Sequence, residues 1–174
     1  LRGLQYLQRA GLLAHPATIT EPVLALARRD ADRLLLDLLR PDDWLPHLAG
    51  LGITHVELMP VCPFPGTHGW GYDGVGLWAV HEPYGGPDGL KRFVDACHRR
   101  GLGVLLDAVF NHLGPSGNYL PKFGPYLTVG RTPWGEAVNI AAADSDAVRR
   151  YIIDCALRWM RDFGLDDYYL ELST

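Results

Sequence analysis

Two short apolar runs with an amphipathic stretch between them constrain the fold of this 174-residue chain more than any other feature. Ile53 to Met59 carries β-branched residues between Gly52 and Pro60 and reads as a strand. Gly103 to Val109 is a second strand, built on the apolar run Leu102 to Leu106. Between them Leu90, Phe93, Val94 and Cys97 recur at helical spacing, with Asp88 placed as an N-cap and Gly101 placed to stop the helix. A further helix opens at Asp144 or Ser145, carries an apolar stripe of Val148, Ile152, Cys155 and Trp159, and stops at Gly164 ahead of a last strand over Leu165 to Leu172. Strands that alternate with helices pair in parallel through right-handed crossovers, so the class is α/β. From His112 to Ala143 the chain is too long for an ordinary connection, and a functional loop over the site is expected there.

Composition narrows the partners. At 48% apolar residues the chain can bury a sizeable core. A net charge of −4, with no cluster of Lys and Arg, argues against nucleic acid and suits neutral ligands. Cys62, Cys97 and Cys155 are widely spaced and odd in number, which fits reduced thiols in a cytoplasmic protein better than a disulfide framework. Cys97 and Cys155 fall on helical apolar stripes, where a thiol is a small buried hydrophobe. The run Leu4 to Leu13 is broken by Gln5, Gln8 and Arg9, so neither a membrane span nor a secretory leader is expected. Zinc needs paired spacing that the seven histidines lack, and calcium needs a denser acidic loop than any present, so no metal and no cofactor is expected.

Two segments carry the chemistry. From Gly66 to His81 the chain sets Trp70, Tyr72, Asp73 and Trp78 among five glycines. Aromatic rings on such a loop can stack on the apolar face of a sugar while carboxylates take its hydroxyls, or they can simply cover a core. The second segment, DAVFNH from Asp107 to His112, leaves the carboxyl end of the strand, where parallel α/β folds bind ligands.

With THVELMPV before them, EPYGGPDGLKRFVDACHRRGLGVLL between and GPSGNYL and TPWGEAVN after, these segments resemble the α-amylase superfamily of glycoside hydrolases and transferases over roughly residues 50 to 165. Asp73-Gly74 after WGY and the NHLGPSGNYL continuation look like the branch that releases trehalose from maltooligosyl trehalose. Branching enzymes share VELMPV and WGY and are the relatives easiest to confuse with it. The resemblance implies a parallel (β/α) barrel of the TIM type. A complete barrel takes about 250 residues, so only about the first half is expected here. Residues 1–45, with RLLLDLLRPDDW, do not look like the family, and 46–174 would form the partial catalytic domain. Because Leu1 is not an initiator Met and Thr174 follows an apparent strand directly, a fragment or incomplete gene product is expected, inactive by itself.

The resemblance also assigns roles. Tyr72 matches the tyrosine that stacks under the sugar in the cleaved subsite, with Trp70 extending that platform. His112 matches the histidine that hydrogen-bonds the same sugar, Asp107 a carboxylate at the base of the site, and Asn111 a loop-supporting residue. The family's retaining chemistry uses a nucleophile on strand four, an acid on strand five and a supporting Asp on strand seven, with the two reacting carboxyl groups about 5 to 5.5 Å apart. Aligning the Gly-x-Arg-x-Asp pattern of strand four puts Tyr169 at the Arg and Glu171 at the nucleophile, both departures from the pattern. Asp167, Tyr169 and Glu171 would share one face of the strand. The competing reading makes YYLELST a terminal strand without a catalytic role. Two functions stay open: a glycoside hydrolase acting on an α-glucan such as maltooligosyl trehalose, or a non-catalytic glucan-binding or structural remnant. An exposed half-barrel would also favour self-association.

Overall fold

The structure, a computed structural model, describes residues 41–66 and 69–171. The expectations for Leu4 to Leu13, for the leucine-rich segment before Pro41 and for Leu172 lie outside the described residues. Helix α1 (Pro41–Gly50) leads to β1 (His55–Leu58), a 3-10 turn (Glu82–Tyr84), α2 (Gly86–His98) and β2 (Gly103–Val109). After a second 3-10 turn (Leu120–Lys122) come β3 (Leu127–Thr132), β4 (Gly135–Val138), α3 (Ser145–Phe163) and β5 (Asp167–Glu171). Strands β1, β2 and β5 form one parallel sheet in the order β1-β2-β5. Among the described residues this is an α/β unit with strands joined through helices, as the alternation of patterns requires.

The sheet buries one face under the helices. Val56, Leu58, Val104, Leu106 and Ala108 alternate onto that face and are all under 10% exposed. Against them pack Leu45 of α1, Phe93 and Cys97 of α2, and Cys155 and Trp159 of α3. Three of the four expected stripe residues of α3, Val148, Cys155 and Trp159, are buried, while Ile152 is half-buried at the margin. Trp159 also lies 4.7 Å from Phe163, centroid to centroid. Burying rings of this size stabilises by about 1.5–3 kcal/mol each.

Several local expectations are corrected. Asp88 does not cap α2; Gly85, at φ 88°, holds the N-cap position, and Asp88 sits in the first turn, where its charge complements the helix dipole. Asp144 is the N-cap of α3 at φ 58°, a left-handed conformation that Asp tolerates, and makes no side-chain capping bond. The Ser145 hydroxyl instead accepts from Arg149 Nη1 at 2.7 Å. Both β1 and β5 are shorter than expected. The largest difference lies in the segment from His112 to Ala143, read as loop from its length. It contains an antiparallel hairpin, β3–β4, with Pro133 and Trp134 at its turn between paired Thr132 and Gly135. The hairpin forms because β-prone LTV and EAV runs flank a turn that proline pre-sets.

The glycine-rich segment is tied down through one backbone carbonyl. Leu77 O accepts from Cys155 Sγ at 3.1 Å, Trp159 Nε1 at 3.2 Å and Cys62 Sγ at 3.7 Å. Burial pushes the thiols of Cys62 and Cys97 up to about 12 and that of Cys155 to about 11. Two glycines are required by close approach. A Cβ on Gly114 would overlap the Asp73 carbonyl, and one on Gly71, at φ +86°, would overlap the Pro60 carbonyl. Gly114→Ala is therefore expected to lower unfolding free energy by about 1–3 kcal/mol in urea titrations. Gly50→Ala, where nothing lies within 4 Å, should lower it far less.

At the opposite end of the sheet, Asp166 Oδ2 accepts from the Val104 N–H at 2.7 Å and meets His98 Nε2 at 2.8 Å. Partial burial alone would raise the Asp166 carboxyl, but the Val104 and His98 bonds outweigh it and hold the group below its ordinary value. A carboxylate depressed on folding contributes stability at pH above its unfolded value and loses it as pH falls through the folded one. Thermal melts are expected to show acid destabilisation below the ordinary carboxylate range, and Asp166→Asn should flatten that part of the profile.

Candidate functional site

The strands run in parallel, so the loops leaving β1 and β2 meet at one edge of the sheet. From β1 comes the glycine-rich loop, which carries Trp70, Tyr72 and Asp73; from β2 comes Asp107 and, after it, Asn111 and His112. Tyr72 reaches across to β2: its hydroxyl donates to Asp107 Oδ2 at 2.5 Å. Asp107 is 6% exposed, so this bond is made largely out of water. Tyr72 is half-buried, with its hydroxyl held on Asp107.

His112 is 5% exposed. Its Nε2 is 2.9 Å from the Tyr72 carbonyl and its Nδ1 is 2.7 Å from Asn111 Oδ1. The carbonyl can only accept, so Nε2 carries a proton and donates to it, and Nδ1 of the neutral ring then accepts from the Asn111 side-chain amide with its NH2 group turned toward the ring. Both ring nitrogens are thus engaged within the protein, and His112 serves in this structure to join the loop after β2 to the loop after β1. The main-chain carbonyl of Asn111 also accepts the Val138 N–H at 3.1 Å.

The other assigned residues separate. Trp70 is 63% exposed on the loop, free of the core. Asp73 is exposed, and its backbone carbonyl packs on Gly114. Trp78, from the same aromatic-rich run, turns toward α3 instead: its ring lies 5.5 Å from Tyr151 and 5.8 Å from the Arg158 guanidinium, and its carbonyl accepts from Arg158 Nη1. His81 at the end of the run is buried, stacks on Phe64 at 4.1 Å, and is lowered by burial below its ordinary value. The covering role therefore holds for Trp78 and His81 and not for Trp70. On β5, Tyr169 pairs with Asp107 and Glu171 with Val109, which puts Asp107 and the Tyr169 and Glu171 positions on one face of the sheet. Among the described residues no group of three or more His, Cys, Asp and Glu is placed to hold a metal.

Two residues of the site were not singled out in the sequence. Trp134, at the hairpin turn, stacks on His112 with centroids 5.5 Å apart and planes at 24°, yet remains 52% exposed. Asn139, at the base of the hairpin, is 3% exposed and fully hydrogen-bonded to backbone. The available signal was the pair of β-prone runs, LTV and EAV, on either side of the Pro-Trp turn, which points to the hairpin that carries Trp134.

Residues 42–124 match the α-amylase catalytic domain family. The chain is 71% identical over 127 residues to malto-oligosyltrehalose trehalohydrolase of Mycobacterium tuberculosis, covering 73% of this chain and 22% of that protein. It is 37% identical over 131 residues to a 1,4-alpha-glucan branching enzyme of Pseudoalteromonas atlantica, covering 72% and 18%. Among solved structures it is similar to a putative alpha amylase from Salmonella typhimurium, with a TM-score of 0.67, 48% identity, and 79% and 22% of the two chains covered. The chain thus spans about a fifth of the length of the curated relatives it matches, and its match to the α-amylase catalytic domain family covers residues 42–124.

Proposed function

We propose that this chain supplies the sugar platform of a retaining glycoside hydrolase that releases trehalose from maltooligosyl trehalose. The observation that carries this reading is the Tyr72–Asp107 hydrogen bond, which holds an aromatic ring over the carboxyl ends of β1 and β2 inside a segment 71% identical to a trehalohydrolase. Residues 46–174 are the first half of a TIM-type barrel in this reading. Tyr72 stacks under a glucose, and Trp70 and Trp134 extend the apolar wall. Asp107 fixes Tyr72, Asn111 supports the loop, and Asp73 faces the ligand from the rim. A sugar hydroxyl competes with the Tyr72 carbonyl for the His112 donor. Glu171 takes the nucleophile position, with Tyr169 in place of the Arg beside it. In this reading the protein works in the cytoplasm without cofactor or metal, and its half-barrel associates with itself.

The departures on β5 favour a second reading. A Tyr offers one neutral donor where a guanidinium would hold the nucleophile ionised, and Glu extends the carboxylate by a bond. A non-catalytic glucan-binding remnant would tolerate both changes. The greater likeness to the trehalohydrolase disfavours a branching enzyme.

Titration with maltotetraose, using cellotetraose as control, is expected to show weak binding selective for the α-linked sugar. Tyr72→Ala should reduce affinity by about twofold to tenfold, the worth of one stacked ring. Equal binding of both sugars would sink the platform. A chimera separates the two readings. Residues 42–166 placed into the Mycobacterium tuberculosis relative should preserve trehalose release to within about tenfold, a change of about 1.4 kcal/mol in the barrier. Extending the exchange through Glu171 should lower kcat by about 10²-fold or more, because misplacement by about 1 Å costs that much. Tyr169→Arg together with Glu171→Asp should restore it. Full turnover with Glu171 in place would show instead that the substituted pair is catalytically competent.

A further inference from the structure

We propose that Asn139 is a positioning residue: it latches the β3–β4 hairpin at its base and so sets where Trp134 stands against His112. The inference rests on the sugar-platform reading above. Asn139 Nδ2 donates to the Pro125 carbonyl and to the Ala143 carbonyl, both at 3.0 Å, and its Oδ1 accepts from the Ala142 N–H at 3.0 Å. Its backbone N–H donates to Tyr126 O at 2.8 Å. Pro125 and Tyr126 enter the hairpin, and Ala142 and Ala143 leave it for α3, so a single amide side chain ties entry to exit. The next residue back, Val138, bonds the carbonyl of Asn111, which adjoins His112. Arg149, from the first turns of α3, donates to the Ile140 carbonyl at 3.0 Å and secures the same corner.

Besides Asn139, the base of the hairpin is held by Val138, buried in the core, and by Tyr126 and Leu127 packed against it; beyond the base the stack of Trp134 on His112 is what remains. Val129 is fully exposed at 101%, and Gly130, Arg131, Gly135 and Glu136 face solvent. A two-stranded hairpin without a core of its own is marginal in water, so its orientation comes from its base. Neither Asp nor Ala reproduces the Asn: Asp keeps the acceptor for Ala142 and loses both donors, while Ala loses all three bonds.

A double-mutant cycle on the full chain tests the latch, with maltotetraose as probe. Asn139→Ala and Trp134→Ala are each expected to weaken binding by about threefold to tenfold, the range for one stacked ring. The double variant should be no weaker than Trp134→Ala alone, because Asn139 acts through Trp134. Losses that multiply would overturn the proposal, since a residue that merely stabilises the fold would add its effect independently. Acrylamide quenching of Trp134, isolated as the difference from Trp134→Phe counterparts, gives a readout that needs no sugar. Quenching should rise in Asn139→Ala; unchanged quenching would overturn the latch. If the unmodified chain binds no maltotetraose, the platform reading fails and quenching alone decides the latch. Should Asn139→Ala not fold, Arg149→Gln replaces it in the same cycle, removing the bond to Ile140 from a more exposed side chain, with the same non-additivity expected and the same multiplicative outcome overturning the idea.

Discussion

The arrangement of the whole site depends on where the loop after β1 is held, and the Leu77 carbonyl, which takes three side-chain donors, is its most heavily bonded anchor. A loop this rich in glycine has high conformational entropy, and glycine loses more of it on folding than any other residue. Donors from Cys155 and Trp159 of α3 converge on that carbonyl, and Arg158 takes the next one, on Trp78. The loop is thereby fixed to a helix that is itself fixed to the sheet. In the same arrangement the Tyr72 hydroxyl meets Asp107 and the Tyr72 carbonyl meets His112.

This arrangement explains which residues remain available. Side chains at the downstream end of the loop, Trp78 and His81, are consumed by packing on α3 and on the Phe64–Tyr84 cluster. Those upstream of the anchor, Trp70 and Tyr72, stay at the edge where the parallel strands end. The hairpin closes the arrangement from the other side, with Trp134 against His112. Two connections, the loop after β1 and the long segment after β2 that contains the hairpin, therefore meet at one place because both leave the carboxyl end of the same parallel sheet.

Much of this was legible in the sequence. The strand Gly103–Val109 and the stop at Gly164 follow from local pattern, and the structure agrees with both. The meeting of Tyr72, Asp107, Asn111 and His112 was legible through motif resemblance. It was not legible through spacing, since Tyr72 and Asp107 are joined only by tertiary contact. What was missed was missed for physical reasons. The cap at Gly85 depends on a left-handed φ that no periodicity reports, and Asp88 one turn later carries a stronger compositional signal. The hairpin escaped because its strands are short and exposed, with no buried face to impose a clean alternation. Asn139 escaped because a polar residue in a loop is unremarkable until its burial is known.

The depth at which the cysteines lie has a consequence for handling the molecule. The thiolate is the reactive form, and burial raises all three thiols well above neutral pH while walling two of them off entirely. The native chain is thus close to silent toward alkylating reagents. A single cysteine introduced at exposed Val129 would take a maleimide fluorophore selectively, and would place it on the arm whose orientation is in question, without first stripping the protein of its own sulfur.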